Sequence, residues 1–176
     1  MQAVLLRSIV TIALVLCAAA VEGAALGPDS KIGYEGVGPI VFGSTVADAN
    51  AAGAGLTPSG AVNPQCSYYQ SSVPGLSFMV VQGAIVRADV VSGPISTHKG
   101  LHVGDPVEKL RRSYSNETIY PSKYDPHMHV VVLEPRWNNA HAGVEKMRIV
   151  IETDDKTVRS IVSGYTHYAE LVEHCS

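Results

Sequence analysis

Short apolar runs broken by glycine and proline set the rhythm of this chain. Cys66–Gln70 (CSYYQ) and Leu76–Val81 (LSFMVV) are joined through Val73-Pro74-Gly75, and Ala84–Val91 (AIVRADVV) follows across Gln82-Gly83. Runs of this length, rich in β-branched and aromatic residues and bounded by turn formers, predict an antiparallel meander. The pattern returns later in His129–Glu134, Val144–Thr153 and Thr157–Tyr165, with Asp154-Asp155-Lys156 as the last hairpin turn and Glu117–Pro121 as a further short strand. Between these runs the grammar changes. Gly100–Tyr114 (GLHVGDPVEKLRRSY) reads as a strand end followed at once by a helix, with Asp105 as its cap, Pro106 in its first turn and Glu108 three residues after the cap. Ile40–Gly53 (IVFGSTVADANAAG) repeats that grammar earlier in the chain.

The two halves align beyond their helices. Phe42-Gly43-Ser44-Thr45-Val46 matches Val103-Gly104-Asp105-Pro106-Val107, and Val86-Arg87 with Val91-Ser92-Gly93 matches Val158-Arg159 with Val162-Ser163-Gly164. Two matches in the same order read as a tandem duplication. The expected fold class is therefore α+β, with two tandem units at residues 31–96 and 97–176, each a capped helix packed on a small antiparallel meander.

Residues 1–25 are set apart. Arg7 precedes an apolar run from Ile9 to Val21, and Ala18-x-Ala20 and Gly23-x-Ala25 both fit signal cleavage. The run is shorter than the ~20 residues of a membrane span, so a cleaved export signal is expected. A lipidated Cys17 is the rival, disfavoured by Leu16 before it. The expected location is periplasmic or secreted, in a bacterial setting, with no integral membrane segment after cleavage. Of the 3 cysteines, Cys66 and Cys175 then remain, and an oxidising compartment favours a disulfide between them over two free thiols. Asn116–Thr118 (NET) is a glycosylation acceptor only in a eukaryotic secretory pathway.

The formal net charge of −3 carries no basic stripe, which argues against a nucleic-acid partner. No G-x-S-x-G elbow marks a nucleophile, and Asp105 and Glu108 are explained by helix capping, so no catalytic residue and no cofactor is expected. The segment DPHMHV places His127 and His129 on one face if extended, with Met128 between them and His141 in a later loop. Two imidazoles without a third ligand make weak evidence for copper or zinc, so a periplasmic metal-binding protein is the alternative reading only. Aromatic side chains on turns and strands are better candidates for contact with another protein: Tyr68, Tyr69, Tyr120, Tyr124 and Trp137. Tyr68 and Tyr69 are neighbours on one strand and must face opposite ways.

The motifs FGSTVADA and VGDPVEKL, each leading into a helix and then a meander, resemble β-lactamase inhibitory protein and the small outer-membrane-assembly lipoproteins. That resemblance implies sheets that present a concave, aromatic-rich face to a partner protein, and no catalysis. Here one Trp and two Phe leave that face to tyrosines, and the pattern of one disulfide within each unit is absent. The expectation is an exported, non-catalytic protein-binding module, of the kind that inhibits an extracytoplasmic enzyme.

Overall fold

A computed structural model describes residues 25–115, 117–123, 125–135, 146–171 and 175. The apolar runs form strands where their alternation places them. β1 (Lys31–Ile32), β2 (Gly36–Val37) and β3 (Ile40–Val41) precede helix α1 (Val46–Ala51). β4 (Thr57–Pro58), β5 (Ser67–Gln70), β6 (Leu76–Val81), β7 (Ala84–Val90) and β8 (Ser96–Thr97) lead to α2 (Val107–Ser113). β9 (Ile119–Pro121), β10 (His129–Leu133), β11 (Met147–Thr153) and β12 (Val158–Tyr165) follow, and α3 (Thr166–Ala169) closes the order.

The expected α+β class, two helix-capped units in tandem, is overturned. The protein is mostly β, with a 4-stranded sheet ordered β3-β2-β1-β8 and an 8-stranded sheet ordered β4-β5-β6-β7-β12-β11-β10-β9. The three helices among the described residues have only 6, 7 and 4 residues. The reason is a pairing that no local pattern announces. β7 and β12 run antiparallel with Val90 opposite Ile161 and Arg87 opposite Gly164, so one uninterrupted sheet spans both meanders. The second sheet is built from two-residue strands in a stretch with no alternation to read.

The helices differ in how they begin. Thr45 caps α1, its hydroxyl accepting from the Asp48 N–H at 3.1 Å while the Asp48 carboxylate accepts from the Thr45 N–H at 3.2 Å. The expected cap at Asp105 does not form. Pro106 occupies the cap position of α2 without a side-chain bond, because the Asp105 carboxylate is engaged backwards by the His102 N–H at 2.7 Å and forwards by Lys109 at 2.7 Å. Each helix entry is tied to a hairpin: the Gly43 N–H donates to Ile85 O and the Gly104 N–H to Val158 O, both at 2.8 Å.

One face of the large sheet carries the core. Leu76, Phe78, Ile85, Ala88, Val90, Val131, Leu133, Ile149, Ile151 and Ile161 pack there. Ala49 of α1, Val107 and Leu110 of α2, and Ile32, Val37 and Ile40 of the small sheet complete that cluster. Strand alternation then sends every second side chain of β5–β7 and β9–β12 to the opposite face.

Candidate functional site: the second face of the large sheet

The strand registers set the second face out as three transverse rows. The first runs Tyr120–Val130–Glu152–Ser160 across β9 to β12. The second runs Val132–Val150–Val162–Asp89 from β10 to β7. The third runs Arg148–Gly164–Arg87–Met79–Tyr68 from β11 to β5. The first two rows form the floor of a groove of about 500 Å³, bounded by Val91, Lys123, Ala169 and Leu171.

The floor is centred on four valines, and most of its polar groups are engaged with one another. Val150, Val162 and Ala169 form a small buried cluster of their own, with Val130 packed against it. The Ser160 hydroxyl donates to Glu152 at 2.7 Å. Arg87 and Asp89, both 4% exposed, stand two residues apart on β7 and pair through Nε at 2.8 Å and Nη2 at 2.5 Å. A buried ion pair tolerates loss of water only when its remaining hydrogen-bonding capacity is used. Here Arg87 Nη1 donates to the carbonyls of Tyr168 at 3.0 Å and Leu171 at 2.7 Å. The Tyr68 hydroxyl bonds the Asp89 carboxylate, and burial followed by that negative charge pushes the phenol well above its ordinary range, against the opposing pull of Arg87.

The rim is the opposite of the floor. Val91, Tyr120 and Leu171, at 60%, 54% and 38% exposure, are three of the five exposed large hydrophobics among the described residues, and all three line this groove. Surface hydrophobics scattered singly mean little, whereas a contiguous set marks an interaction site. Lys123 and Glu152 line the same groove, and neither has an ion-pair partner among the described residues.

The residues singled out from sequence fall in several places. Tyr120 stands on the groove rim and Tyr68 on the third row, whereas Tyr69 turns the other way and packs against the main core. Tyr124, Trp137 and His141 lie outside the described residues. His127 is exposed at a turn where its N–H donates to Asp125 at 2.8 Å, and His129 on β10 stands 3.9 Å from Asp155. No group of three or more His, Cys, Asp or Glu that could hold a metal ion occurs among the described residues. Cys66 and Cys175 are joined by a disulfide with Cα atoms 5.4 Å apart. Among the described residues no helix is long and apolar enough to cross a membrane.

Sequence reading missed Arg87 and Asp89. Their signal was present, since opposite charges two apart in the otherwise apolar run AIVRADVV must share one face of a strand. Compared with family models, with curated proteins and with solved structures, the chain matches none.

Proposed function

We propose that this chain is an exported, non-catalytic protein-binding module that meets its partner through the groove on the second face of the large sheet. The observation that carries the reading is the concentration of exposed apolar side chains, Val91, Tyr120 and Leu171, around a valine floor. Three further features support it. The polar floor groups are paired with one another, so a small polar substrate finds few free donors or acceptors there. The sheet's edges offer little for strand addition, since β4 and β9 have 2 and 3 residues and each ends in proline. Lys123 and Glu152 present an ammonium and a carboxylate beside the valines, complementary to an aliphatic or aromatic side chain flanked by opposite charges on a partner protein. Resemblance to β-lactamase inhibitory protein points to the same use of a sheet face, with inhibition of an extracytoplasmic enzyme as its form.

The test is capture of a partner from extracytoplasmic extracts by the chain lacking residues 1–25, beside two variants. Val132→Asp places a charge on the half-buried floor, and Val41→Asp places one on an apolar side chain of β3 that is already 55% exposed and does not line the groove. A single partner retained by wild type and Val41→Asp but lost with Val132→Asp supports the proposal. Equal retention by both variants refutes it.

A further inference from the structure

The segment after β12 crosses the second face instead of leaving the sheet. α3 starts at Thr166, whose N–H donates to Lys146 O at 2.8 Å, and Ala169 settles on Val150 and Val162. Arg87 on β7 then holds the carbonyls of Tyr168 and Leu171, and Arg148 on β11 pairs with Glu170. Cys175 finally bonds Cys66, the residue immediately before β5. Residues 166–171 form a strap that leaves β12, passes over Arg87 of β7 and lines the edge of the groove with Ala169, Glu170 and Leu171.

Apart from the two bonds from Arg87, noncovalent forces hold this strap weakly. A four-residue helix is too short to sustain itself. Its one buried apolar side chain is an alanine, and Leu171 remains 38% exposed. Glu170 of the Arg148 pair is 45% exposed, where an ion pair contributes little. The disulfide is accessible: both cysteines are half-buried and line a surface hollow of about 400 Å³ with Ser59, Asn63 and Tyr68.

We propose that the strap is an internal occupant of the second sheet face and that the Cys66–Cys175 bond governs whether it stays. Reduction by a dithiol proceeds by attack of one thiolate on a protein sulfur, then release of the second protein sulfur by the other thiolate. The dithiol is oxidised to its disulfide, and its two protons pass to Cys66 and Cys175. The freed strap leaves Arg87, Val150 and Val162, and the docking face widens across the valines onto Arg87. The docking consequence rests on the function proposed above; release of the strap does not.

Hydrogen exchange of the full oxidised chain, compared with the same chain reduced by a phosphine and with Cys66→Ser/Cys175→Ser, reads the release directly. The N–H groups of Thr166, Glu170 and Leu171 are hydrogen-bonded in the strapped state. Peptides covering 166–171 are expected to exchange at least roughly ten-fold faster in both reduced forms, with β6, β7 and β12 unchanged. Binding of an apolar dye is expected to rise as Val150 and Val162 are uncovered. Unchanged strap exchange overturns the proposal, and so does a uniform acceleration across the sheet, which would make the bond a support of the whole fold. Strap release without any partner lost through Val132→Asp would sink the docking function alone.

Discussion

Replacing Asp89 with alanine is the sharpest single perturbation of the second face. The side chains of Arg87 and Asp89 are 5% and 6% exposed, so the guanidinium left behind cannot recover its hydration without opening the sheet or lifting the strap. It would keep the carbonyls of Tyr168 and Leu171 but lose both bonds to Asp89 Oδ1, and the Tyr68 hydroxyl would lose its acceptor. Removing one partner of a buried pair costs about 3–5 kcal/mol. That is a large part of the roughly 5–15 kcal/mol that holds a domain folded. With a urea slope of about 2 kcal/mol per molar, the midpoint of Asp89→Ala falls by roughly 1.5–2.5 M, read by circular dichroism on the oxidised protein. The companion variant Arg87→Met/Asp89→Leu removes both charges and leaves the two strap carbonyls without their donor, a loss of about 1–3 kcal/mol. It is expected to be more stable than Asp89→Ala alone. A shift below about 0.5 M for Asp89→Ala, or a double variant less stable than the single one, would refute the reasoning from buried charge.

Three further outcomes are expected. The Asp154 carboxyl is lowered to about 2, first by the Thr157 N–H, then by the Lys156 N–H and Arg159, so its contribution is complete above the ordinary carboxyl value of 3.8. That contribution is lost as pH falls through about 2, and Asp154→Asn should flatten acid titration of stability between those limits relative to wild type. Gly164→Ala would place a Cβ 2.4 Å from Val86 O, inside the β7–β12 junction; a loss of about 1–3 kcal/mol in urea is expected, and a neutral result would contradict the close approach. Thr45→Ala removes the acceptor for the Asp48 N–H and should cost about 1 kcal/mol by thermal unfolding, whereas Asp105→Ala should act through the His102 turn and Lys109, leaving the first turn of α2 no less protected in hydrogen exchange.

Local order was legible in this sequence because it is written locally. Runs of β-branched and aromatic residues between turn formers marked β6, β7, β10, β11 and β12, and the opposite facing of Tyr68 and Tyr69 followed from the strand itself. The bond between Cys66 and Cys175 followed from compartment and count. The sheet's continuity was not legible: the shared V-R and V-S-G pattern marks Arg87 and Gly164 as parts of repeated runs, but nothing in it says that β7 and β12 pair with each other. Asp105 carried a sound capping signal that lost to a competing one: His102 and Lys109 occupy the carboxylate that would have turned to the helix. The strap was hidden for a related reason. Thr166–Leu171 is a short, weakly patterned segment, held to the sheet by Arg87 of β7 and Arg148 of β11 and followed by the Cys175–Cys66 bond.

The proposed seat of the partner is the groove beside Tyr120. A photo-crosslinking residue placed at position 120 tests it most directly, with the same residue at position 41 as the control, on extracts containing the captured partner. One crosslinked product is expected at position 120, abolished by Val132→Asp, and none at position 41. Equal labelling at both positions, or crosslinking at 120 that survives Val132→Asp, would contradict it.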